Sequence, residues 1–496
     1  MTIFTLMTYI GIVALIFTLL IVFVLKKHKS VVMTYFQSFT GILFIFSGWV
    51  KAVDPMGTAF KMDDYFAEFN VAFSDSIFSF LAPIFPFLAN YSLAFAIFMI
   101  IFEIILGVML LFGDRPKLTS WLFFLLVLFF TALTGYTYLT GYVPLESTFF
   151  KFGTWGEYKA TNMRVTDCGC FGDFIKLDPK ISFYKDVFLL IPAVYFLFRW
   201  DDMHVLISKR SRNLILAVST IFLILYCIYN FHWNEPHVDF RPFKNGTNIA
   251  AVQKIEKDAA NAVQVLALKM KNKKTGEFKE FKYADYMKNL STITEEWETV
   301  EQIKTEPTIQ ETKISHFDIT DFDGNERSEL YLANEKAHIM VPIFKAKYTA
   351  IPSKRIVKDT VFVQDTIPSK TPQDSMQIVK KIQSVTDREE TYYDIIWDAD
   401  FIKVLKEVIK PLHDAAKKDN VEMSVVISGI DSPKAELLKI ETGLDVEYLT
   451  ADEKLLKTIM RSNPGIILWK NGVLLHKWHY KKLPSWDVIK AEFLEK

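Results

Sequence analysis

Six long apolar stretches fill the first half of the chain and decide what it can fold into. A helix needs about 20 apolar residues to cross the hydrocarbon core of a bilayer. The first stretch is too long for the apolar part of a signal peptide and lacks a small-residue cleavage site, so it is interpreted as a retained span. The fifth is short and contains Pro192, which leaves five spans with a re-entrant segment as the alternative. The six stretches are residues 3–25, 32–52, 86–112, 119–141, 184–199 and 213–231.

The distribution of charge predicts how these spans are oriented. Residues 1–231 carry few charges and residues 232–496 carry many, although the 57 basic and 57 acidic residues balance overall. No Lys/Arg-rich stripe with aromatic platforms is present, so we expect no nucleic-acid partner. With six spans, the basic clusters at 26–29, 115–117 and 199–212 all fall on one side, which the positive-inside rule assigns to the cytoplasm. The N-terminus, the loop at 142–183 and everything after 231 are then predicted to lie outside.

Two of the three cysteines lie one residue apart in that outer loop. The stretch at 167–173 reads Asp-Cys-Gly-Cys-Phe-Gly-Asp. A disulfide between Cys168 and Cys170 would close a small, strained and therefore oxidising ring, and Gly169 would let the backbone turn tightly. A redox pair, a structural bridge and inert thiols all remain open, whereas a metal is not favoured because soft metal sites need about four ligands. Cys227 lies near the outer end of span six and is interpreted as packing, with contact to the pair as the alternative.

Three ionisable residues in or beside the spans are candidates for a polar site. Lys51, near the outer end of span two, could reach the interface, pair with Asp54 or bind a polar head group. Glu103 lies well inside span three, where a carboxylate is costly and is a functional candidate by default. The alternative for Glu103 is a protonated side chain bonded to a neighbouring helix. Gly107, four residues further on, predicts a close helix contact on the same face.

Several short motifs in the first half occur in the order typical of one membrane family. They are Phe-Ser-Gly-Trp-Val-Lys-Ala-Val-Asp-Pro-Met-Gly-Thr within 34–61, the Glu103/Gly107 pattern, and Cys-Gly-Cys-Phe-Gly at 168–172 with Lys-Asp at 185–186. Together they resemble the DoxX/MauE family, and the cysteine motif most resembles its MauE branch. The resemblance covers about residues 32–200.

The resemblance implies a four-helix bundle in a bacterial inner membrane, linked to periplasmic thiol or quinone redox chemistry. It implies that Cys168 and Cys170 are a catalytic redox pair. Lys51, Asp54 and Glu103 are then candidates for a polar binding site in the bundle. A quinone is the candidate cofactor, and the partners implied are membrane lipid and a periplasmic protein.

The last hundred residues alternate between strand and helix patterns. A strand at 337–344 (with 392–397 as its rival) precedes an exposed excursion at about 346–390. Helices follow at 401–418, 433–442, 452–462 and from 485, with strands at 421–428, 444–448, 466–470 and 473–479 and a hairpin turn at Asn471-Gly472. This order resembles the C-terminal half of a thioredoxin fold, in which Pro464 would be the cis proline.

The resemblance to thioredoxin is incomplete, because no cysteine follows residue 227 and the Cys-x-x-Cys motif is absent. Such a domain cannot exchange a disulfide itself, but the groove beside Pro464 could pair with an extended peptide. The chain is therefore predicted to be a membrane α-helical bundle followed by a soluble α/β thioredoxin-like domain with an added β-rich segment. The predicted divisions are 1–31, 32–200, 201–231, 232–335 (β-rich) and 336–496.

Two functions fit this organisation. The first is a membrane component that passes electrons between an external thiol partner and a quinone through Cys168 and Cys170. The second is a non-enzymatic membrane scaffold whose soluble domain binds partner proteins, with the cysteines as a local clip.

Overall fold

Eight α-helices occupy the first half of the chain in the computed structural model, which describes residues 2–165, 169–305, 307–309, 311–367 and 377–495. Six of them are long and apolar enough to cross a membrane, as predicted. The fifth of these runs unbroken through Pro192, which removes the reason for the five-span alternative. The helices are α1 (Ile3–Leu19, extended by a π-helix at Leu20–Leu25), α2 (Val31–Val53), α3 (Pro55–Ser74), α4 (Ile84–Ala89), α5 (Ser92–Phe112), α6 (Pro116–Leu139), α7 (Pro179–Arg199) and α8 (Lys209–Ile228).

The third span begins later than the apolar run suggested. The sequence predicted a start at residue 86, but α5 begins at Ser92 because the chain turns at Asn90 and Tyr91. The apolar residues before that turn form the separate helix α4, whose first turn contains Pro86. A proline is tolerated there because the backbone N–H groups of a first turn have no partner within the helix.

Glycines allow α2 and α5 to approach closely, as Gly107 predicted. A Cβ atom added at Gly107 would lie 2.8 Å from the carbonyl oxygen of Gly41, and one added at Gly48 would lie 2.4 Å from Cγ1 of Ile104. Helices can approach this closely only where small residues remove the side chains from the contact. The two helices that carry Lys51 and Glu103 are thereby held against each other.

The predicted basic clusters lie together at one end of the bundle. Lys27 Nζ donates to the carbonyl oxygen of Leu206 at 2.6 Å, and Arg212 Nε donates to Asp114 Oδ1 at 2.9 Å. The Cys170 loop and the second half of the chain lie at the opposite end, where Asp173 contacts Arg461. Counting six spans placed the basic clusters on one side and the cysteine loop with the second half of the chain on the other. The contacts agree with this separation.

The second half of the chain contains a six-stranded sheet in the order β1-β11-β10-β5-β8-β9, a three-stranded sheet β3-β2-β4 and a two-stranded ribbon β6-β7. In the large sheet β5, β8 and β9 are parallel. Strand β10 runs antiparallel to β5, and β11 runs antiparallel to β10. The strands are β1 (Thr247–Asn248), β2 (Val265–Asn272), β3 (Phe278–Lys282), β4 (Trp297–Lys304), β5 (His338–Ile343), β6 (Tyr348–Ile367), β7 (Gln377–Trp397), β8 (Glu422–Ile427), β9 (Glu447–Thr450), β10 (Gly465–Lys470) and β11 (Val473–His479).

Helices cover both faces of the large sheet because its strands are apolar on both faces. Ile339 and Val341 on β5 belong to one buried cluster, whereas Met340 between them belongs to the other, together with Trp469 of β10. The helices of the second half are α9 (Ile249–Asn261), α10 (Tyr283–Lys288), α11 (Leu290–Glu296), α12 (Glu329–Leu332), α13 (Ala399–Val404), α14 (Lys410–Lys418, joined to α13 by a π-helix at Leu405–Ile409), α15 (Ser432–Thr442), α16 (Glu453–Ile459) and α17 (Trp486–Phe493). Of these, α10 and α11 contact the three-stranded sheet rather than the large one.

Most elements after residue 336 match the sequence prediction, with three differences. The short strand predicted at 444–448 is Glu447–Thr450, and the helix predicted at 452–462 ends at Ile459. The excursion predicted at 346–390 is the ribbon β6-β7, which extends to Trp397, so the rival strand at 392–397 is the end of β7. Residues 368–376 lie outside the described ranges. The segment at 232–335 is less β-rich than predicted, since it also holds α9 to α12.

A buried charge network ties the linker after α8 to the large sheet. Arg241 is 1% exposed and donates to Glu235 Oε2 and Asp239 Oδ1, both at 2.8 Å. Lys477 Nζ on β11 lies 2.5 Å from Asp239 Oδ2. Burial alone would raise the pKa of Asp239, but Arg241 and Lys477 hold this pKa below its usual range.

Asp239→Asn is expected to lower the free energy of unfolding by about 3–5 kcal/mol, because it leaves two buried cations with fewer counter-ions. The folded-state pKa of Asp239 is lowered, so its contribution is present above about pH 4 and is lost as the pH falls further. Acid should therefore destabilise the variant less steeply than the wild-type chain in denaturant titrations between pH 6 and 3. Asp359→Asn, in an exposed ion pair with Arg388, is the control and should change stability by less than about 1 kcal/mol.

Candidate functional site in the helical bundle

A cavity of about 440 Å³ lies within α2, α5, α6 and α7. Its size is in the range of small-molecule sites, roughly 300–1,000 Å³. The loop at 169–173 and residues 452–461 of the sheet-containing half line its outer end. Charged side chains line much of the cavity, and its apolar and aromatic lining includes Phe44, Met99, Val127, Phe129, Phe130, Leu133, Phe171 and Leu189.

Lys51 and Glu103 form a buried ion pair that lines this cavity. Lys51 Nζ lies 2.6 Å from Glu103 Oε2, and the two side chains are 9% and 4% exposed. The Lys51 ammonium also lies 5.3 Å from the centre of the Phe130 ring. Lys51 therefore neither reaches the interface nor pairs with Asp54. Glu103 does bond a neighbouring helix, as one alternative for it stated, but the bond is an ion pair with Lys51 of α2.

A second polar group lines the cavity from α7 and was not predicted as part of the site. Lys185 Nζ pairs with Asp186 Oδ1, and Thr134 Oγ1 on α6 donates to Asp186 Oδ2 at 3.0 Å. Asp186 is 1% exposed. The signal for this group was already in the sequence, because two adjacent charges near the start of an apolar span are costly unless they are paired.

Cys170 brings its thiol to the same cavity. The residue is half-buried, and its carbonyl oxygen accepts a hydrogen bond from Ser47 Oγ at 2.9 Å. Gly169 has a φ of +61°, a conformation that a glycine adopts readily. The predicted tight turn also includes Cys168, so it stays a prediction. Burial raises the pKa of the Cys170 thiol, and the opposing effect of Lys185 does not reverse the shift. Cys168 lies outside the described residues.

Cys227 has a different environment. It is fully buried in α8 and belongs to a cluster with Ala52, Ile100, Ile104 and Leu223. The surroundings are those of the packing interpretation, and burial with no compensating cation favours an inert thiol.

Asp54 and Arg461 close the outer end of the cavity. Arg461 Nη2 donates to Asp54 Oδ2 at 2.7 Å and to Asp173 Oδ2 at 3.1 Å. Asp54 Oδ1 also accepts from the backbone N–H of Gly57 and so caps α3. Asp54 is therefore part of the predicted polar site, but at the mouth of the cavity and with a partner from the other half of the chain.

Pro464 lies next to this mouth, and the Asn463–Pro464 peptide bond is cis, as the sequence predicted. The backbone N–H groups of Arg461 and Ser462 donate to Glu235 Oε1 at 3.1 and 2.8 Å. The backbone donors of Arg461 and Ser462 are thus already bonded within the chain. Peptide binding in the predicted groove stays a prediction.

One family model matches part of the membrane half. Residues 27–144 match the family described as "Methylamine utilisation protein MauE". The match supports a MauE-type membrane protein. The matched segment holds Lys51, Asp54 and Glu103 and ends before the cysteine loop. Comparisons with curated proteins and with solved structures found no match.

Proposed function

We propose that this chain is a membrane component of thiol–disulfide chemistry that uses Cys168 and Cys170 as its redox pair. The observation that carries the proposal is the position of Cys170 on a ligand-sized cavity that also holds the Lys51–Glu103 pair. A sulfur that faces such a cavity can exchange electrons with a molecule bound inside the membrane. Perturbed and paired ionisable groups in a cavity are typical of functional sites.

The balance of the reaction has two halves. In the first, a dithiol partner outside the membrane gives two electrons and two protons to the Cys168–Cys170 disulfide, so that the partner becomes a disulfide and the pair becomes two thiols. In the second, the pair re-forms its disulfide and releases two electrons and two protons. A quinone, when bound, would take up both and become a quinol. Lys51 and Glu103 are the groups that we propose hold and move protons at the inner part of the cavity.

The residues of the cavity fit a quinone. A quinone ring requires apolar contacts on its faces and hydrogen-bond donors at its oxygens. Phe44 and Phe130 supply apolar surface, and the ammonium groups of Lys51 and Lys185 supply donors. Phe129 also lines the cavity and is 42% exposed.

The soluble domain is proposed to be thioredoxin-like and to lie in the periplasm. The strand order β11-β10-β5-β8 supports that resemblance. In it β5 and β8 are parallel, β10 is antiparallel to β5, and β11 is antiparallel to β10. The basic clusters at the opposite end of the bundle support a cytoplasmic location for that end. The chain would then sit in a bacterial inner membrane with its N-terminus, the cysteine loop and the soluble half outside.

The proposal is tested with the full-length chain in lipid nanodiscs. Dithiothreitol serves as thiol donor and a short-chain naphthoquinone as acceptor, and quinone absorbance is followed. We expect quinone consumption that requires both the dithiol and the chain, with one quinone reduced for each dithiol oxidised. Quinone reduction no faster than in empty nanodiscs would refute the proposal.

A scaffold function is the second candidate, and the exposed ribbon β6-β7 favours it. The ribbon carries exposed apolar side chains such as Ile356 and Tyr393, on strands that the described residues pair only with each other. Exposed strand edges and apolar side chains can bind a partner chain. The scaffold is supported if affinity purification yields a stable complex that survives replacement of both Cys168 and Cys170 with serine.

A further inference from the structure

The soluble half supplies the roof of the cavity although it holds no cysteine. Asp452, Lys457 and Arg461, from α16 and its two ends, line the outer end of the cavity together with Cys170. Phe60 of α3 reaches up to this roof, where its ring centre lies 4.5 Å from Lys457 Nζ and 5.4 Å from the ring centre of Phe344. The two halves of the chain therefore share one site.

Arg461 is the residue of the roof that contacts both walls of the mouth. Its Nε lies 2.9 Å from Asp54 Oδ2, and its Nη2 bonds Asp54 and Asp173 at 2.7 and 3.1 Å. Its side chain is 5% exposed, and its Nη1 donates to the carbonyl oxygen of Lys457. A guanidinium suits this place because its planar fork can bond two carboxylates at once.

The contact with Asp173 acts on the cysteine loop itself. Asp173 is three residues from Cys170, in a turn closed by the hydrogen bond from Gly172 N–H to the carbonyl oxygen of Gly169 at 3.1 Å. The adjacent Phe174 packs between the bundle and the linker, with ring distances of 5.6 Å to Phe46 and 5.1 Å to Phe240. The loop is thus anchored on one side by aromatic packing and on the other by Arg461.

We propose that Arg461 is a positioning residue that holds the Cys170 loop across the mouth of the cavity and limits access to the thiol. The soluble domain, which cannot exchange a disulfide, would act on the site through this side chain. The catalytic consequence rests on the proposed function, but the control of access does not. The charges agree with this role, since one arginine bonds two carboxylates, of which Asp173 also lies 3.6 Å from Lys176 Nζ.

The test measures access to Cys170 directly. In a Cys168→Ser/Cys227→Ser background Cys170 is the sole thiol, and its labelling by a bulky charged maleimide is timed in nanodiscs. Arg461→Gln and Asp173→Asn should each raise the rate about tenfold, with no further increase in the double variant, because both disrupt the same contact between Arg461 and the loop. Arg461→Lys, which keeps the charge without the fork, should give an intermediate rate. Arg327→Gln, in the exposed pair with Glu447, is the control and should leave the rate unchanged.

Labelling in both single variants at the wild-type rate would overturn the positioning role, as would additive increases in the double variant. Asp173→Asn changes the loop's own partner in the contact with Arg461 and leaves the soluble domain untouched. The test therefore stands even if Arg461→Gln weakens that domain. Labelling needs no electron transfer. A chain that fails to reduce the naphthoquinone but responds in labelling would contradict the proposed function alone, and the reverse pattern would contradict the role of Arg461 alone.

Discussion

Replacement of Cys170 with serine is expected to reduce dithiol-dependent quinone reduction to the background of empty nanodiscs. A serine oxygen cannot form or exchange a disulfide, so the loop loses its redox pair. The substitution is nearly isosteric, and the backbone bond from Ser47 Oγ to the carbonyl oxygen of residue 170 does not involve the side chain. The fold should therefore be unchanged, as judged by thermal unfolding of the full chain.

Cys227→Ser is the matched control for this experiment. Cys227 is buried in an apolar cluster on α8, so its replacement should leave quinone reduction at the wild-type rate. Loss of activity in Cys227→Ser, with activity retained in Cys170→Ser, would show that the chemistry depends on Cys227 and that our proposal names the wrong cysteine. Activity retained in both variants would show that no thiol takes part.

Glu103→Gln is expected to lower the free energy of unfolding by about 3–5 kcal/mol, because it leaves the Lys51 ammonium buried without its counter-ion. The pair lies between two helices in contact, with side chains 9% and 4% exposed. Unfolding in mixed micelles with increasing denaturant, followed by tryptophan fluorescence, measures the change.

The double variant Lys51→Met/Glu103→Leu separates a structural role from a functional one. Apolar side chains of similar volume often replace a buried ion pair at little cost, so stability should return to within about 2 kcal/mol of the wild-type chain. Quinone reduction should nevertheless stay low, because the groups proposed to hold protons are gone. Full activity in a stable double variant would mean that the pair serves packing alone.

The sequence predicted the spans well because length and hydropathy are local properties. It also predicted the glycine contact near Gly107, the hairpin turn at Asn471-Gly472 and the buried strand at 421–428, since each follows from a short pattern. It placed the start of α5 too early because apolar residues continue through α4, and hydropathy does not record a turn between two apolar helices.

The partners within the site could not be predicted in the same way. Lys51 has Asp54 three residues away, yet it bonds Glu103, because helix rotation and the close approach of α2 and α5 decide which carboxylate it meets. Asp54 bonds Arg461, 407 residues further along the chain, and nothing local to either residue signals that contact. Such pairings depend on how the two halves of the chain pack and are visible only in three dimensions.

The oxidation state of the cysteine loop in living cells tests the central claim most directly. Cells are quenched in acid, free thiols are alkylated, disulfides are reduced and alkylated with a heavier reagent, and the peptide that contains Cys168 and Cys170 is weighed. We predict a mixture of disulfide and dithiol that shifts toward dithiol when quinone synthesis is blocked. A loop that stays fully reduced, or one that stays fully oxidised whatever the state of the quinone pool, would contradict the account.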